Sequence, residues 1–548
     1  MDYKKLADLL YPDVTETLEN LEKRYPKRDL HEGAEVTRFA PSPTGRVHMG
    51  NLYASFIPEV FAYQTNGVFI LRIEDTDAKR AIDNGTQLIL DDLKSYNYVI
   101  NEDPIQGGNY GPYIQTERAN IYHTVAKYLV SIGRAYPCFC SEDDLNHMRE
   151  VQTERKDRIG YYGEYAKCRN LTYDEVKSHI DNGDKWVLRL KSTGDFNKQF
   201  IFKDLIKGTI ELHENDIDQV IVKSDGIPPY AFAHVCDDHF MRVTTVTRGE
   251  EYISSVPYHL ELWNACGFVP PKFAHTLAVN IKDGNTVRKI SKRKDPEAAI
   301  SFYAERGVPT EAIKLYLATL VNTNFDGWLL ENPGKSYRDF TFSFDKVSTS
   351  GPLFDLEKLI NISKTYISRL KASDLYDKTL EYLETYDKDF YELLKNNKDF
   401  TINVLNIERD VERPRKDISS YSDVKKEISF MFDELFTVDS YKDLEIKKFY
   451  KPEILEDYFN NVYNKEDEKQ DWFNKIKEFS VKYNFCPDNK EYKLNPDKYL
   501  GNVSDICELI RVMVTGRTMS PDLYEILKLL SKESINKRIS LFKEYLNK

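Results

Sequence analysis

Arg38-Phe39-Ala40-Pro41-Ser42-Pro43-Thr44-Gly45-Arg46-Val47-His48-Met49-Gly50-Asn51 is the stretch that decides the architecture. Residues 35–40 read as a strand, and a helical pattern follows from Leu52. In an open α/β sheet, ligands bind beyond the carboxyl ends of strands, where backbone amides at a helix start face an anion. The dinucleotide pattern Gly-x-Gly-x-x-Gly is absent. Instead two prolines stiffen the loop, Gly45 permits a tight turn, and His48 and Asn51 share the opening turn of the helix. There His48, as imidazolium or neutral imidazole, can donate to a phosphate oxygen.

Outward from this loop, 68–73 is β-branched and aromatic, 86–96 is helical and 243–247 is a further strand. Alternation at that scale predicts an open, mostly parallel α/β sheet. Between about 140 and 220 the pattern changes to a charged helical stretch, 141–156, and short strands at 185–191, 199–206 and 208–212, which reads as an insertion between two halves of the sheet domain. From about 360 onward the pattern is helical. Leu523, Ile526, Leu527 and Leu530, then Ile535, Ile539, Phe542 and Leu546, form apolar stripes, and Ser520-Pro521-Asp522 reads as a helix start with a capping hydroxyl, a first-turn proline and an acid. Residues 1–34 form an acidic helical extension, with Leu18, Leu21 and Tyr25 on one face, that reads as accessory.

With 548 residues the chain has room for about three to five domains, and 41% hydrophobic with 30% charged residues excludes collagen-like and wholly disordered classes. No run reaches the roughly 18 apolar residues of a membrane helix, and the start lacks a signal peptide's apolar core, so no membrane partner and a cytoplasmic location are expected. Seven cysteines form no disulfide framework. The net charge of −12 counts at first against a phosphate-rich partner, yet it is uneven. Residues 1–35 hold six basic and nine acidic side chains, and 71–103 hold four and eight, whereas 272–294 hold seven basic and one acidic. A Lys/Ser loop such as Lys289-Ile290-Ser291-Lys292-Arg293-Lys294 suits a triphosphate, because ammonium donors can follow charge moving from the α- to the β,γ-phosphates.

Taken together, Pro-Ser-Pro-Thr-Gly-x-x-His-x-Gly after a strand and Lys289-Ile290-Ser291-Lys292-Arg293 about 240 residues later resemble the HIGH and KMSKS signatures of class I aminoacyl-tRNA synthetases. Within that class the chain looks like a bacterial-type glutamyl-tRNA synthetase from about residue 35 onward. Further matches are 71–77 (Leu71 to Asp77), Gly111-Pro112-Tyr113, Lys223-Ser224-Asp225-Gly226, Asp237-Asp238-His239, Arg248-Gly249-Glu250-Glu251 and Gly351-Pro352-Leu353-Phe354-Asp355.

The resemblance implies a multidomain α/β plus all-α protein. Its parts are the extension 1–34, a Rossmann-like catalytic domain in two halves (35–139 and 219–275) around an inserted acceptor-stem-binding domain (140–218), a KMSKS-loop and stem-contact domain (276–360), and helical anticodon-binding parts 361–450 and 451–548. It implies a glutamate–tRNA ligase with ATP and Mg²⁺, L-glutamate and tRNA(Glu) as partners, working as a monomer. His48 and Lys292, assisted by Lys289 and Ser291, are implied to stabilise the α-phosphate and the departing pyrophosphate. Pro41, Ser42, Pro43, Thr44, Gly45, Gly50, Asn51 and Glu251 complete the implied ATP site. Glutamate carries two carboxylates and one ammonium, which calls for two cationic forks and an anion: Arg38 and Arg248 at strand ends, with Glu74 for the ammonium. Which arginine takes which carboxylate stays open. Ala40, Ser42, Tyr230 and His234 match the same site, His234 standing where many relatives have Asn.

A glutamine-specific enzyme is the nearest alternative, and a catalytically idle RNA-binding paralogue is another. A neutral amide would leave an aimed arginine desolvated and unpaired, and intact His48, Lys292, Arg38 and Glu74 argue for catalysis. Some relatives hold structural zinc in the insertion, which implies a site at Cys138, Cys140 and Cys168. Asn170 stands where a histidine would complete four ligands, leaving Tyr161, Tyr162 or Tyr165, with Tyr162 taken as the fourth. Arg517 and Thr518 are candidates for anticodon contact or for helix capping.

Overall fold

The computed structural model describes residues 1–76 and 82–547, so Asp77 of the 71–77 motif lies outside the described residues. One unit comprises Met1–Ile300 with Lys314–Leu356, the other Ser301–Ile313 with Glu357–Lys548. In the first unit the strands are β1 (Val36–Phe39), β2 (Val68–Leu71), β3 (Ala135–Cys138), β4 (Val187–Leu190), β5 (Gln199–Asp204), β6 (Gly208–His213), β7 (Val220–Val222), β8 (Thr245–Gly249), β9 (Lys272–Thr276), β10 (Asn280–Asp283) and β11 (Thr286–Lys289). Its first nine α-helices are α1 (Tyr3–Leu10), α2 (Leu18–Arg24), α3 (Met49–Gln64), α4 (Gly85–Ser95), α5 (Ala119–Ser131), α6 (Glu142–Arg155), α7 (Tyr173–Asp181), α8 (Tyr230–Phe240) and α9 (Val256–Cys266).

All four residues of β1 are buried, so the strand has no solvent face and needs a neighbour on each side. On one side β2 pairs with it in parallel, Val36 opposite Val68 through Phe39 opposite Leu71. On the other lies β8: Thr244 N–H donates to the Val36 carbonyl at 2.9 Å, and Thr244 Oγ1 accepts from Val36 N–H at 2.8 Å. β8 in turn pairs in parallel with β9. The order is therefore β2-β1-β8-β9, and the chain leaves β1 in one direction and β8 in the other. Such a reversal opens a crevice at the strands' carboxyl ends.

The insertion builds its own antiparallel pieces: β3-β4-β7 as a three-stranded sheet and β5-β6 as a hairpin. Leu205 N–H donates to the Phe273 carbonyl at 2.9 Å, tying the end of that hairpin to β9. The extension is less accessory than its sequence suggests. Leu6, Ala7 and Leu21 are buried and share one core with Val125 and Leu129 of α5 and with Val36, Val246 and Phe273 of the sheet. Arg28 forks onto Glu102 at 2.6 and 2.8 Å and lies 3.8 Å over the Tyr110 ring.

In the second unit the predicted stripes face inward, Ile526, Leu527 and Phe542 being completely buried in a core with Leu375, Ile476 and Ile506. Two details differ from expectation. Helix Leu523–Leu529 is capped by Asp522, whose carboxylate accepts from Glu525 N–H at 3.1 Å, so Ser520 and Pro521 precede the helix rather than opening it. The region is also not purely helical, because Phe485–Cys486 and Gly501–Asn502 form a short parallel pair.

Candidate active site

The loop after β1 is pinned from three directions. The Pro41 carbonyl accepts from Glu74 N–H and the Pro43 carbonyl from Ile82 N–H, both at 3.0 Å. The Asp92 carboxylate, on α4, takes Arg46 Nη1 at 2.7 Å and Val47 N–H at 2.9 Å. This leaves Ser42 and Thr44 exposed. The helix opens at Met49, earlier than its pattern suggests, because His48 is its cap: Nδ1 accepts from Asn51 N–H at 3.1 Å while Asn51 Oδ1 lies 3.3 Å from His48 N–H. An accepting Nδ1 places the proton on Nε2, so the donor edge belongs to a neutral imidazole. Burial, reinforced by the Lys292 and Lys289 ammoniums, holds His48 down at about 4. Gly50 is needed for this ring position, since a Cβ there would lie 2.9 Å from His48 Cε1.

The basic loop follows the β10-β11 hairpin, in which Asn280 pairs with Lys289. Asp295 organises it: the carboxylate receives Arg288 Nη1 at 2.8 Å, Arg288 Nη2 at 2.7 Å and Ser291 N–H at 2.8 Å. Arg288 is thus a structural cation, whereas Lys289, Lys292, Arg293 and Lys294 are exposed. The Lys292 ammonium donates to the Arg46 carbonyl, and His48 pairs across a bridge with Ala299. The two signature segments, so distant in sequence, therefore meet over the β1/β8 crevice.

Beneath them lies a buried charge network. Asp238 receives Arg38 Nε at 3.2 Å and Arg72 Nη1 at 2.6 Å, and Asp237 receives Arg118 Nε at 2.5 Å with Tyr122 and Gln115. Burial would raise the Asp238 carboxyl, but Arg38, Arg72 and His234 carry it well below the usual carboxylate range. Arg72 Nη2 also reaches Glu74 Oε1 at 3.1 Å, and burial raises the Glu74 carboxyl against the pull of Arg72 and Arg38. Arg248 is held differently. Its Nε donates to His275 Nε2 at 3.0 Å and its Nη1 to His259 Nδ1 at 2.8 Å, both neutral rings, and Nη2 is buried without an aligned hydrogen bond among the described residues.

Tyr230 opens α8 and its ring stacks on that of His234, centroids 5.6 Å apart, so the i, i+4 pair shares one pocket as its spacing predicts. His234 is completely buried. Nδ1 lies 2.5 Å from Asp238 Oδ2, and Nε2 has no hydrogen-bond partner among the described residues. Burial pushes it down to about 4. Ala40 ends the β1 side of the same crevice, and Glu251 folds back over Gly249, where a Cβ would meet its carboxylate at 2.1 Å. Asp92, Asp295, His259, His275 and Asp204 hold the loop residues and arginines of the crevice in place, and spacing gave no means of finding them.

In the insertion, the sulfurs of Cys138, Cys140 and Cys168 lie within 4.8 Å of one another. The fourth group is Tyr161, not Tyr162. Tyr161 Oη sits 3.4 Å from Cys138 Sγ and 3.3 Å from Cys140 Sγ, whereas Tyr162 donates to the Arg158 carbonyl at 2.8 Å. Three clustered thiols with a phenol beside two of them make a donor set that fits a tetrahedral zinc. In the second unit, Arg517 is tied down by the Lys426 carbonyl and by Glu427, while Thr518 is exposed.

Comparison with known proteins gives this geometry its class. The family described as tRNA synthetases class I (E and Q), catalytic domain, matches residues 35–346, and an anticodon-binding domain family matches 500–542. A glutamate–tRNA ligase of Acetivibrio thermocellus is 44% identical over 98% of this chain and 99% of its own, and one of Clostridium beijerinckii is 41% identical over 99% and 100%. A crystal structure of a glutamate tRNA ligase from Elizabethkingia meningosepticum in complex with its amino acid superposes with a TM-score of 0.74 at 24% identity, covering 94% of this chain and all of that one. The chain belongs to the glutamate–tRNA ligase family of class I tRNA synthetases.

Proposed function

We infer that the protein is a glutamate–tRNA ligase that activates L-glutamate with ATP and transfers it to tRNA(Glu). The observation that carries the reading is the meeting of His48 and Lys292 over a crevice floored by Arg38, Glu74 and Arg248. A glutamate α-carboxylate oxygen attacks the α-phosphorus, giving glutamyl-adenylate as pyrophosphate leaves. A hydroxyl of the terminal ribose of tRNA then attacks the acyl carbon and AMP departs. No protein nucleophile is required, and catalysis is positioning plus electrostatics. His48 Nε2–H and the Lys292 ammonium receive the charge that develops on the phosphates, with Lys289 and Ser291 beside them. Mg²⁺, when bound, neutralises the polyphosphate.

The amino-acid side is built for an anion. Arg38 shares the carboxylate of Asp238, whereas among the described residues Arg248 is held by neutral groups, the His275 and His259 imidazoles with the Tyr230 phenol beside them, so its charge calls for a ligand carboxylate. A glutamine amide there would leave that charge buried and uncompensated, which favours glutamate. Pyrophosphate release from glutamate, ATP and total tRNA tests the reading, and no release in the complete mixture overturns it. Charging of separated tRNA(Glu) and tRNA(Gln) transcripts establishes the breadth of tRNA choice.

Cys138, Cys140, Cys168 and Tyr161 would hold a structural zinc that fastens the β3 end of the insertion to the turn carrying Tyr161. Elemental analysis should find about one zinc per chain, lost in Cys140→Ser; a metal-free chain with an unaltered melt would exclude it. No helix among the described residues is long and apolar enough to cross a membrane. A monomer acting in the cytoplasm is the expected setting, and sedimentation tests the first part.

A further inference from the structure

We propose that Asp204 and His275 are positioning residues that aim Arg248, through a hydrogen-bonded line running from the inserted hairpin into the amino-acid pocket. Asp204 ends β5 and is buried. One carboxylate oxygen accepts from Ile206 N–H at 2.9 Å and Lys207 N–H at 2.8 Å. The other accepts from His275 N–H at 3.1 Å and faces His275 Nδ1 at 2.6 Å. Burial would raise this carboxyl, but His275 and the two backbone donors hold it low, so Asp204 is an anion that only accepts.

An acceptor at Nδ1 fixes the tautomer of His275. The proton sits on Nδ1, the lone pair is on Nε2, and that lone pair takes Arg248 Nε–H at 3.0 Å. With His259 accepting from Nη1 at 2.8 Å, the guanidinium plane is set, and Nη2 is a buried donor without an aligned hydrogen bond among the described residues, with the Tyr230 phenol beside the group. Because the acceptors are neutral rings, the cation is oriented without being neutralised; the compensating carboxylate stands one residue further back. This differs from Arg38, bonded directly to Asp238. Since Asp204 belongs to the hairpin, and its neighbour Leu205 is bonded to Phe273 of β9, the placement of the insertion sets the aim of Arg248.

The proposal rests on the reading that Arg248 binds glutamate, and the experiment separates the two. TRNA-dependent pyrophosphate exchange is measured on the full chain. In Asp204→Asn the carboxamide oxygen is engaged by the two backbone donors, so its NH₂ faces His275, forces the proton to Nε2 and sets donor against donor at Arg248. The glutamate KM is expected to rise at least about tenfold, with the ATP KM unchanged. His275→Gln keeps an acceptor near the position of Nε2 and His275→Leu removes it, so the former is expected to stay near the parent and the latter to match Asp204→Asn. The Asp204→Asn effect is expected to vanish in the His275→Gln background, a coupling that general loosening of the fold does not produce. Should Asp204→Asn fail to fold, equal glutamate KM values for His275→Gln and His275→Leu overturn the proposal. A raised KM in Arg248→Gln with a parental value in Asp204→Asn also overturns it and leaves the site reading intact. An unchanged KM in Arg248→Gln refutes the binding role of Arg248, and the positioning role with it.

Discussion

Single side chains here do two jobs, and variants can separate them. His48 caps α3 through Nδ1 and offers Nε2 to phosphate. His48→Ala removes both functions; His48→Ser keeps a capping oxygen. Both should lose about 10²- to 10³-fold in kcat for activation, the range for one preorganised donor. Only the alanine variant should also lose about 1 kcal/mol of stability. A loss confined to KM would contradict the assignment. His234 gives a pH prediction. Its folded value of about 4 lies below the ordinary 6.5. The unfolded chain therefore binds the proton first, and stability that is full above pH 6.5 declines as the pH falls toward 4. His234→Asn should flatten that decline in denaturant melts between pH 7 and 5; an unchanged slope would show that His234 is not buried neutral. Sequence made Arg38, His48, Glu74 and Arg248 legible because their motifs keep strict local order. Asp92, Asp204 and His275 act on partners 45, 71 and 27 residues away, and no local pattern marks such pairs.

Elements were legible where periodicity is strong and blurred where capping groups compete. Strands β1, β2 and β8 fall inside or within two residues of their predicted runs, because their buried residues are consecutive, as parallel strands require. For the helix at 523–529 the sequence offers two starts. Ser520 and Asp522 both have capping side chains, and the proline between them suggested the earlier one, but only the Asp522 carboxylate reaches Glu525 N–H. Asp522→Ala should cost about 1 kcal/mol in the denaturant melt of the second unit, and Ser520→Ala close to nothing. The reverse ranking would restore the earlier start.

For the whole molecule, the net charge of −12 misleads because much of the acid is internally paired. In the extension, Asp8 pairs with Lys127, Glu16 with Arg24, and Glu22 with His239 and Arg242. Asp8 and Glu22 fasten the extension to α5 and to the end of α8 and its flank, while Glu16 is neutralised within the extension, so part of the acid is matched by nearby cations. Lys127 also donates to the Tyr11 and Val14 carbonyls at 3.1 and 2.9 Å, and Leu21 is fully buried in the core that supports β1 and β8. The extension therefore shares the core of the sheet whose strand ends carry the site. Leu21→Ala should cost about 2–5 kcal/mol, as for other large-to-small changes in packed cores. Arg28→Ala, which leaves Glu102 with Tyr113 as its remaining side-chain donor, should add a smaller loss. If the extension were accessory, a chain starting at residue 35 would melt at the parental temperature with parental glutamate and ATP KM values. The packing predicts a lower melting temperature and, where that chain stays folded, activity that decays faster on warming, because the core face of α5 has lost its cover.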